Sequence, residues 1–370
     1  MAVNTTVGSG LAAQLVALAE GTYGIAPTLT SPRTYEFKTE SLVLKKNIVQ
    51  GQGLHGASGT LPLYDRTLRR VVTTYDGSGN ITMDLPGNQL GFWLQNMIGS
   101  YGQTAATPTQ IATSGVYTQV HQPGSLQGHS FCVQVGVPAT DGTVEPKTHV
   151  GCKVESWKIS VAVNQIAQLE LTLDTRNELA GANAGNGDPL NVTTPALATP
   201  SYTSGMQLFH FREGTLYTGG TPTLTSGVVS LAGETAAANV TKAEVSHAVT
   251  LDKTRFFLGS AGFKAEQLEN GFRKISGSFD VEWLSSEAMY NAFAADSTSS
   301  LELKFVGPII GSSGSNTMLL SIIVPNIKLE GDSPQVGGPA VVNQTVPWTG
   351  LDDQATTQIQ FTYQSTDSTL

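Results

Sequence analysis

The sequence predicts a mainly β protein, and three observations carry that prediction. Val, Ile, Thr and aromatic residues alternate with polar ones along most of the chain, in runs bounded by Gly, Asn, Asp and Ser, which is the strand-and-turn signature. Helical periodicity is confined to a few short places. Charged residues make up only 13% of the 370 residues, 39% are hydrophobic and 40 are Gly, so the chain folds but carries less charge than the ~25% of an ordinary soluble surface. A surface of that kind is suited to burial against partners.

Taken in order, "GLAAQLVALAEG" at 10–21 has a helical period and predicts a short amphipathic helix. It lacks the basic leader and cleavage site of a secretory signal, and no run reaches the ~18 apolar residues of a spanning helix. The expectation is a chain made in the cytosol and outside any membrane. Strands are predicted near 35–49, 68–75, 79–85, 129–136, 148–162 and 165–175, with "GSGN" at 77–80 as a hairpin turn. After Pro86, the residues Leu90, Trp93, Leu94, Met97 and Ile98 recur at spacings of three and four and predict a helix. Cys132 and Cys152 lie on the two strands flanking "ATDGTVEPK" and read as reduced, buried thiols that face each other.

The stretch 177–204 is of low complexity with almost no charge and reads as a linker. The predicted organisation is a first domain at 1–178, a linker at 179–204 and a second domain at 205–370. Beyond it, strands are predicted near 205–212, 227–231, 242–253, 271–283, 300–306, 317–329, 339–347 and 357–364, with a helix from Ser285 to Asp296 and a turn at "GSSGSN".

The second set of elements follows the order of the first. Gly79, Ile81, Met83, Asp84 and Leu85 fall on Gly277, Phe279, Val281, Glu282 and Trp283. In both copies the apolar residues share one strand face and the acid points the other way. Trp93 and Met97 correspond to Met289 and Phe293, and "TESLVLKKN" echoes "EVSHAVTLDK". Each copy also carries a long, locally basic segment between its first two strands, at 45–70 and 252–274. Segments of this length within a compact domain are usually functional.

The chemistry the residues exclude is equally informative. A formal charge of −9 opposes ordinary nucleic-acid binding, which needs a basic face. The six His residues, at 55, 121, 129, 149, 210 and 247, are scattered and predict no metal site. "HGASG" at 55–59 lacks the spacing of a nucleophile elbow, and the pairs Glu266/Glu269 and Asp352/Asp353 read as exposed loop acids. No enzyme and no cofactor is predicted. Phe256 and Phe257, beside Lys253 and Arg255, suit an interface anchor; the alternative is that one ring packs on its own domain.

"LAEGTYGIAP", "RTLRRVVTTYDGSGNITMDLP", "HVGCKVESWKISVAVNQIAQLELTLDT", "VSHAVTLDK…GFRKISGSFDVEW" and "IIVPNIKLEGDSPQVGGPAVVNQTVPWTGLDD", in this order, resemble the major tail tube proteins of long-tailed bacteriophages. The resemblance implies two tandem tail-tube-like β-sandwich or barrel domains, each with a short flanking helix and a long loop that stacks ring on ring. It implies a structural virion protein, assembled in the host cytoplasm into the tail, whose stacked rings conduct DNA through a typically acidic lumen. By this resemblance the stacking residues are Lys45, Lys46, Leu54, His55, Arg66, Arg69, Arg70, Lys253, Arg255, Phe256, Phe257 and Lys264. Asp84 and Glu282 are candidates for the lumen or another interface.

Two such domains per chain would make a trimer with pseudo-sixfold symmetry; a hexamer is the alternative. The implied partners are other copies, the tape measure, terminator and tip proteins of the tail, and DNA in transit, with no membrane. Segments 101–128 and 213–240 match no motif of the family and read as surface loops or small insertions. A carbohydrate-binding β-sandwich on the surface of a virion or cell is the competing reading.

Overall fold

The computed structural model describes residues 8–51, 70–180, 196–203, 205–283, 288–312, 315–331, 333, 335, 336, 338, 339 and 341–370. The first part of the chain forms β1 (Gln14–Ala19), β2 (Arg33–Tyr35), β3 (Val43–Gln50), β4 (Arg70–Asp84), α1 (Leu90–Ile98), β5 (Tyr117–His121), β6 (Phe131–Pro138), β7 (Val144–Ala162), β8 (Gln168–Thr175) and β9 (Asn177–Ala180). The second part forms β10 (Gly214–Thr218), β11 (Thr235–Ala236), β12 (Val240–Ala248), β13 (Lys274–Glu282), α2 (Ala288–Ala294), β14 (Ser299–Ile309), β15 (Thr317–Leu329), β16 (Asn343–Gly350) and β17 (Gln360–Ser365).

All ladders among the described residues are antiparallel, and one order of pairing occurs twice. In the first part β2 pairs with β1, β1 with β6 and β6 with β7; β7 pairs with both β9 and β8, β8 with β4, and β4 with β3. In the second, β11 pairs with β10, β10 with β14 and β14 with β15; β15 pairs with both β17 and β16, β16 with β13, and β13 with β12. The 19-residue β7 serves two sheets, pairing with β6 over 144–152 and with β8 over 153–160. A single strand thus turns the corner between two layers that enclose apolar side chains.

Those side chains form one continuous core running through both parts. Leu15, Ile81, Trp93, Phe131, Trp157 and Leu171 share it with Phe279, Leu303, Ile322, Trp348 and Tyr363. Each large side chain buried there stabilises the fold by about 2 kcal/mol. Helix α1 forms where its apolar spacing predicts but is buried on nearly every residue rather than on that one face, and it ends at Gly99 in the left-handed region (φ 77°), whose N–H bonds to Gln95 O. Its N-terminus has no side-chain cap of its own. The cap comes from the far end of the chain: Asp367 Oδ2 accepts from Gln89 N (2.6 Å) and from Ser365 Oγ (3.0 Å), with the Tyr363 hydroxyl 2.8 Å away. Asp367→Ala is expected to lower stability by about 1–3 kcal/mol, because it strands these part-buried donors. Urea denaturation with an unchanged midpoint would refute that role.

Several expectations are corrected. Residues 10–21 form a 3₁₀ turn (Gly10–Ala12) followed by β1, with Gln14–Ala17 all buried. A short continuous apolar run carries no distinguishing period, and pairing between β2 and β6 makes this one a central strand. "GSGN" is not a turn but the middle of β4, which joins the two strands expected there. Its glycines answer close approach: a Cβ on Gly77 would sit 2.1 Å from Thr175 Oγ1, and one on Gly79 would sit 2.4 Å from Ser41 O. Gly277, the counterpart of Gly79, is confined in the same way by Glu244 O at 2.1 Å. The start of the stretch read as a linker, Asn177–Ala180, is strand β9. Segments 101–128 and 213–240 supply the ladder strands β5 and β10 in addition to loops. Cys132 and Cys152 are buried free thiols as expected, though Cys152 pairs with Phe131 rather than with Cys132 across the ladder, and burial pushes the Cys132 thiol up to about 12.

A candidate assembly and conduit surface

The two parts of the chain are joined by strands. β12 pairs with the end of β7 from Lys242↔Ala162 to Ala248↔Ser156, so one sheet runs β3–β4–β8–β7–β12–β13–β16 without a break. Behind the joint, the buried rings of Trp157 and His247 stack at 5.6 Å with 21° between their planes. Burial pushes His247 down to about 3, so it is neutral at ordinary pH. A second crossing lies elsewhere, where β5 of the first part pairs with β17 of the second over Tyr117–His121.

Strand alternation gives the joined sheet two unlike faces. One is the core face of Ile81, Leu171, Trp157, Val245, Phe279 and Trp348. The other is polar, with the exposed Asn80 and the half-buried Thr82, Thr172, Ser160, Ser246, Ser276 and Ser278 among its residues. Its charges are mixed. Lys38 meets Asp84 at 2.6 Å, Lys158 meets Glu170 at 3.0 Å from directly across the β7–β8 ladder, and Lys242 meets Glu244 at 3.2 Å. Glu282 accepts from Asn239 Nδ2 (3.1 Å), and Asp280 accepts from Thr345 Oγ1 (2.6 Å). Asp84 and Glu282 therefore share one face of one sheet, opposite Ile81 and Met83 or Phe279 and Val281.

A continuous sheet with a repeated ladder order, one apolar face and one polar face, is the architecture of a wall. Residues 10–350 match the family model described as phage tail tube protein. The chain belongs to the phage tail tube protein family. No curated protein matches its sequence. Membership makes it a structural component of the virion tail that self-assembles into a tube with other tail proteins. Among the described residues, no helix is long and apolar enough to cross a membrane.

The two long segments of this tube protein leave the same rim of the sheet, because β4 and β13 run in the same direction through the alternating order. Lys45 and Lys46 lie on β3, facing Asp76 and Tyr75 across the ladder, and Arg70 opens β4. Together β3 and the start of β4 form a two-stranded arm that exposes Ile48, Val49, Val71 and Val72. Leu54, His55, Arg66 and Arg69 lie outside the described residues.

Segment 252–274 folds back onto the first part of the chain. Phe263 stacks on Tyr75 at 4.9 Å, and Gly262 O accepts from Tyr75 N. Lys253 pairs with Glu155 at 2.6 Å; Arg255 donates to Glu266 O and lies 5.7 Å over the Phe257 ring. Phe256 bridges to Lys264, while Phe257 is exposed.

Lys264 is fully buried, with its Nζ 2.7 Å from both Asp76 and Asp174, and Gln267 Nε2 donates to Asp174 at 2.7 Å. Burial raises the Asp174 carboxyl, and Lys264 opposes that rise. Glu266 and Glu269 are not the free loop acids the sequence suggests. Glu266 holds Lys153 at 2.6 Å, and Glu269 holds Arg273 at 2.6 Å, whose guanidinium also reaches Ile98 O and Gly124 O. This polar network escaped the sequence reading because its partners are widely separated along the chain; the only local sign is an acid, Asp174, ending the apolar alternation of "LELTLDT".

Proposed function

We propose that three chains close a ring of six equivalent positions, that rings stack into the tail tube, and that DNA passes through the lumen during ejection. The observation that carries this reading is the β7–β12 joint. It is a strand-to-strand extension of one part of the chain by the other, between two parts that repeat the same ladder order. β3 is the counterpart of β12, and among the described residues its outer side has no ladder. The same extension between chains would satisfy that edge, which an isolated sheet leaves as a liability. Residues 1–178 and 205–370 are on this reading the two tube domains.

The polar face of the sheet lines the lumen, with Asp84 and Glu282 on it. The apolar, basic arm carrying Lys45, Lys46 and Arg70, together with Phe257 of the second segment, makes the contact between rings. Lys264 holds its own segment in place. Assembly proceeds in the host cytoplasm, with tape measure, terminator and tip proteins completing the tail. Negative-stain microscopy of the purified protein is expected to give rings of threefold symmetry or hollow tubes. Rings of six whole chains would overturn the stoichiometry, and monomers under every condition would overturn the ring.

A further inference from the structure

The polar face poses a physical problem that its ion pairs answer. Lys158, Lys242 and Lys274 lie on it beside Asp84, Glu170, Glu244, Asp280 and Glu282, and Lys38 reaches Asp84 from the segment that precedes β3. The three lysine-to-carboxylate pairs are all substantially exposed, with lysine side chains at 43%, 38% and 42%. Pairs this open to water contribute little to stability. Their arrangement is nonetheless regular: one on β4, one across the β7–β8 ladder and one on β12, so that each lysine in them sits within 3.2 Å of an acid on the same face.

We infer that these acids mask the lysines against double-stranded DNA, so that the face neither grips nor strongly repels a passing duplex. The inference rests on the proposal that this face lines the lumen. A duplex carries one negative charge per ~1.7 Å of its axis, and every lysine free to replace a counterion adds about 0.9 to the salt dependence of binding. Unmasked lysines repeated in every copy of a stacked tube would hold DNA at many points. A face of unpaired acids would instead repel it along the whole length. An ammonium held at 2.6–3.2 Å by a carboxylate presents a short-range dipole whose field is screened within a Debye length of ~8 Å at physiological salt. Asp84, Glu170 and Glu244 thus serve as the charge partners of particular lysines, while Asp280 and Glu282 accept from Thr345 and Asn239.

The test is binding of a 30-base-pair DNA duplex to the purified, unassembled full chain, followed by fluorescence polarisation across salt concentrations. Wild-type protein is expected to bind at least about tenfold more weakly than the variant Asp84→Asn/Glu170→Gln/Glu244→Gln. The variant's log affinity should fall against log salt with a slope near −2.7, the value for about three released counterions. Adding Lys38→Gln, Lys158→Gln and Lys242→Gln to that variant should abolish the gain. No gain in the triple variant, or a gain that survives loss of the three lysines, overturns the inference. Circular dichroism checks that each variant is folded. Microscopy of the same preparations tests the ring separately: tubes without unmasking refute the masking alone, whereas unmasking without rings refutes the ring and leaves the charge partnership standing.

Discussion

Lys264→Met is expected to destabilise the protein by about 3–5 kcal/mol, the usual loss when one partner of a buried ion pair is removed. The Lys264 side chain is 0% exposed and that of Asp174 is 1% exposed. Removing the ammonium leaves the Asp174 carboxylate with Gln267 as its remaining side-chain donor among the described residues, in a site that burial already disfavours for a charge. Two further measurements separate loss of charge from loss of packing. Asp174 can shed its charge by taking up a proton, so the loss should shrink as pH falls from 7 towards 5. The double variant Lys264→Met/Asp174→Asn should recover most of it, since no uncompensated charge remains. Urea unfolding of the single variant within about 1 kcal/mol of wild type would refute the account. So would a loss that is equal at both pH values. Because Lys264 lies on the second segment while Asp76 and Asp174 lie on β4 and β8, the variant should also loosen 252–274 from the first part of the chain, read as faster amide exchange at Tyr75, whose N–H bonds to Gly262 O.

What was legible in the sequence follows the range of the interactions that decide each feature. β15 is found at its expected bounds, and α1 follows the spacing of Leu90, Trp93, Leu94, Met97 and Ile98, because alternation and helical period are local. The match of Gly79 to Gly277 was visible as spelling. Its cause, a neighbouring backbone carbonyl within 2.4 Å of where a Cβ would stand, was not. β1 was misread because "QLVALA" is apolar throughout, and only its neighbours β2 and β6 settle its conformation. The β7–β12 joint was illegible because register between strands some 80 residues apart leaves no periodic trace. The same holds for Lys264 and for Arg273: the identities of a buried lysine and of a solvated one are the same letter, and only the fold places carboxylates or carbonyls around them. Asp84 and Glu282 were the reverse case, since strand parity alone put both opposite the apolar face, and the continuous sheet makes that one common face.

Acidification from pH 6.5 to 5 is expected to lower stability by about 3–5 kcal/mol through three buried histidines. Burial pushes His121 and His247 down to about 3 and His149 to about 4, each from an ordinary value of 6.5. A histidine with a lowered folded pKa is neutral in both states above 6.5 and costs nothing there. As pH falls below 6.5 the unfolded chain takes up the proton and the folded chain does not, so stability declines until the pH reaches the folded value. Over this window each contributes a loss of about 1–2 kcal/mol, or roughly 3–5 kcal/mol together. Glu20 and Asp174, raised by burial, bind protons more readily in the folded state and offset part of that loss. The positions of the histidines give the loss a direction. His247 backs the β7–β12 joint against Trp157, His121 pairs with Phe361 where β5 crosses to β17, and His149 pairs with Glu178 between β7 and β9. Two of the three therefore sit where one part of the chain is strand-paired to the other, and protonating them opposes the pairing itself. Urea midpoints at pH 6.5 and pH 5 provide the check, with His247→Asn and His121→Asn each removing about a third of the difference. Equal midpoints in wild-type protein, or a difference that both variants leave intact, would show that the seams of this tube protein do not depend on neutral histidines.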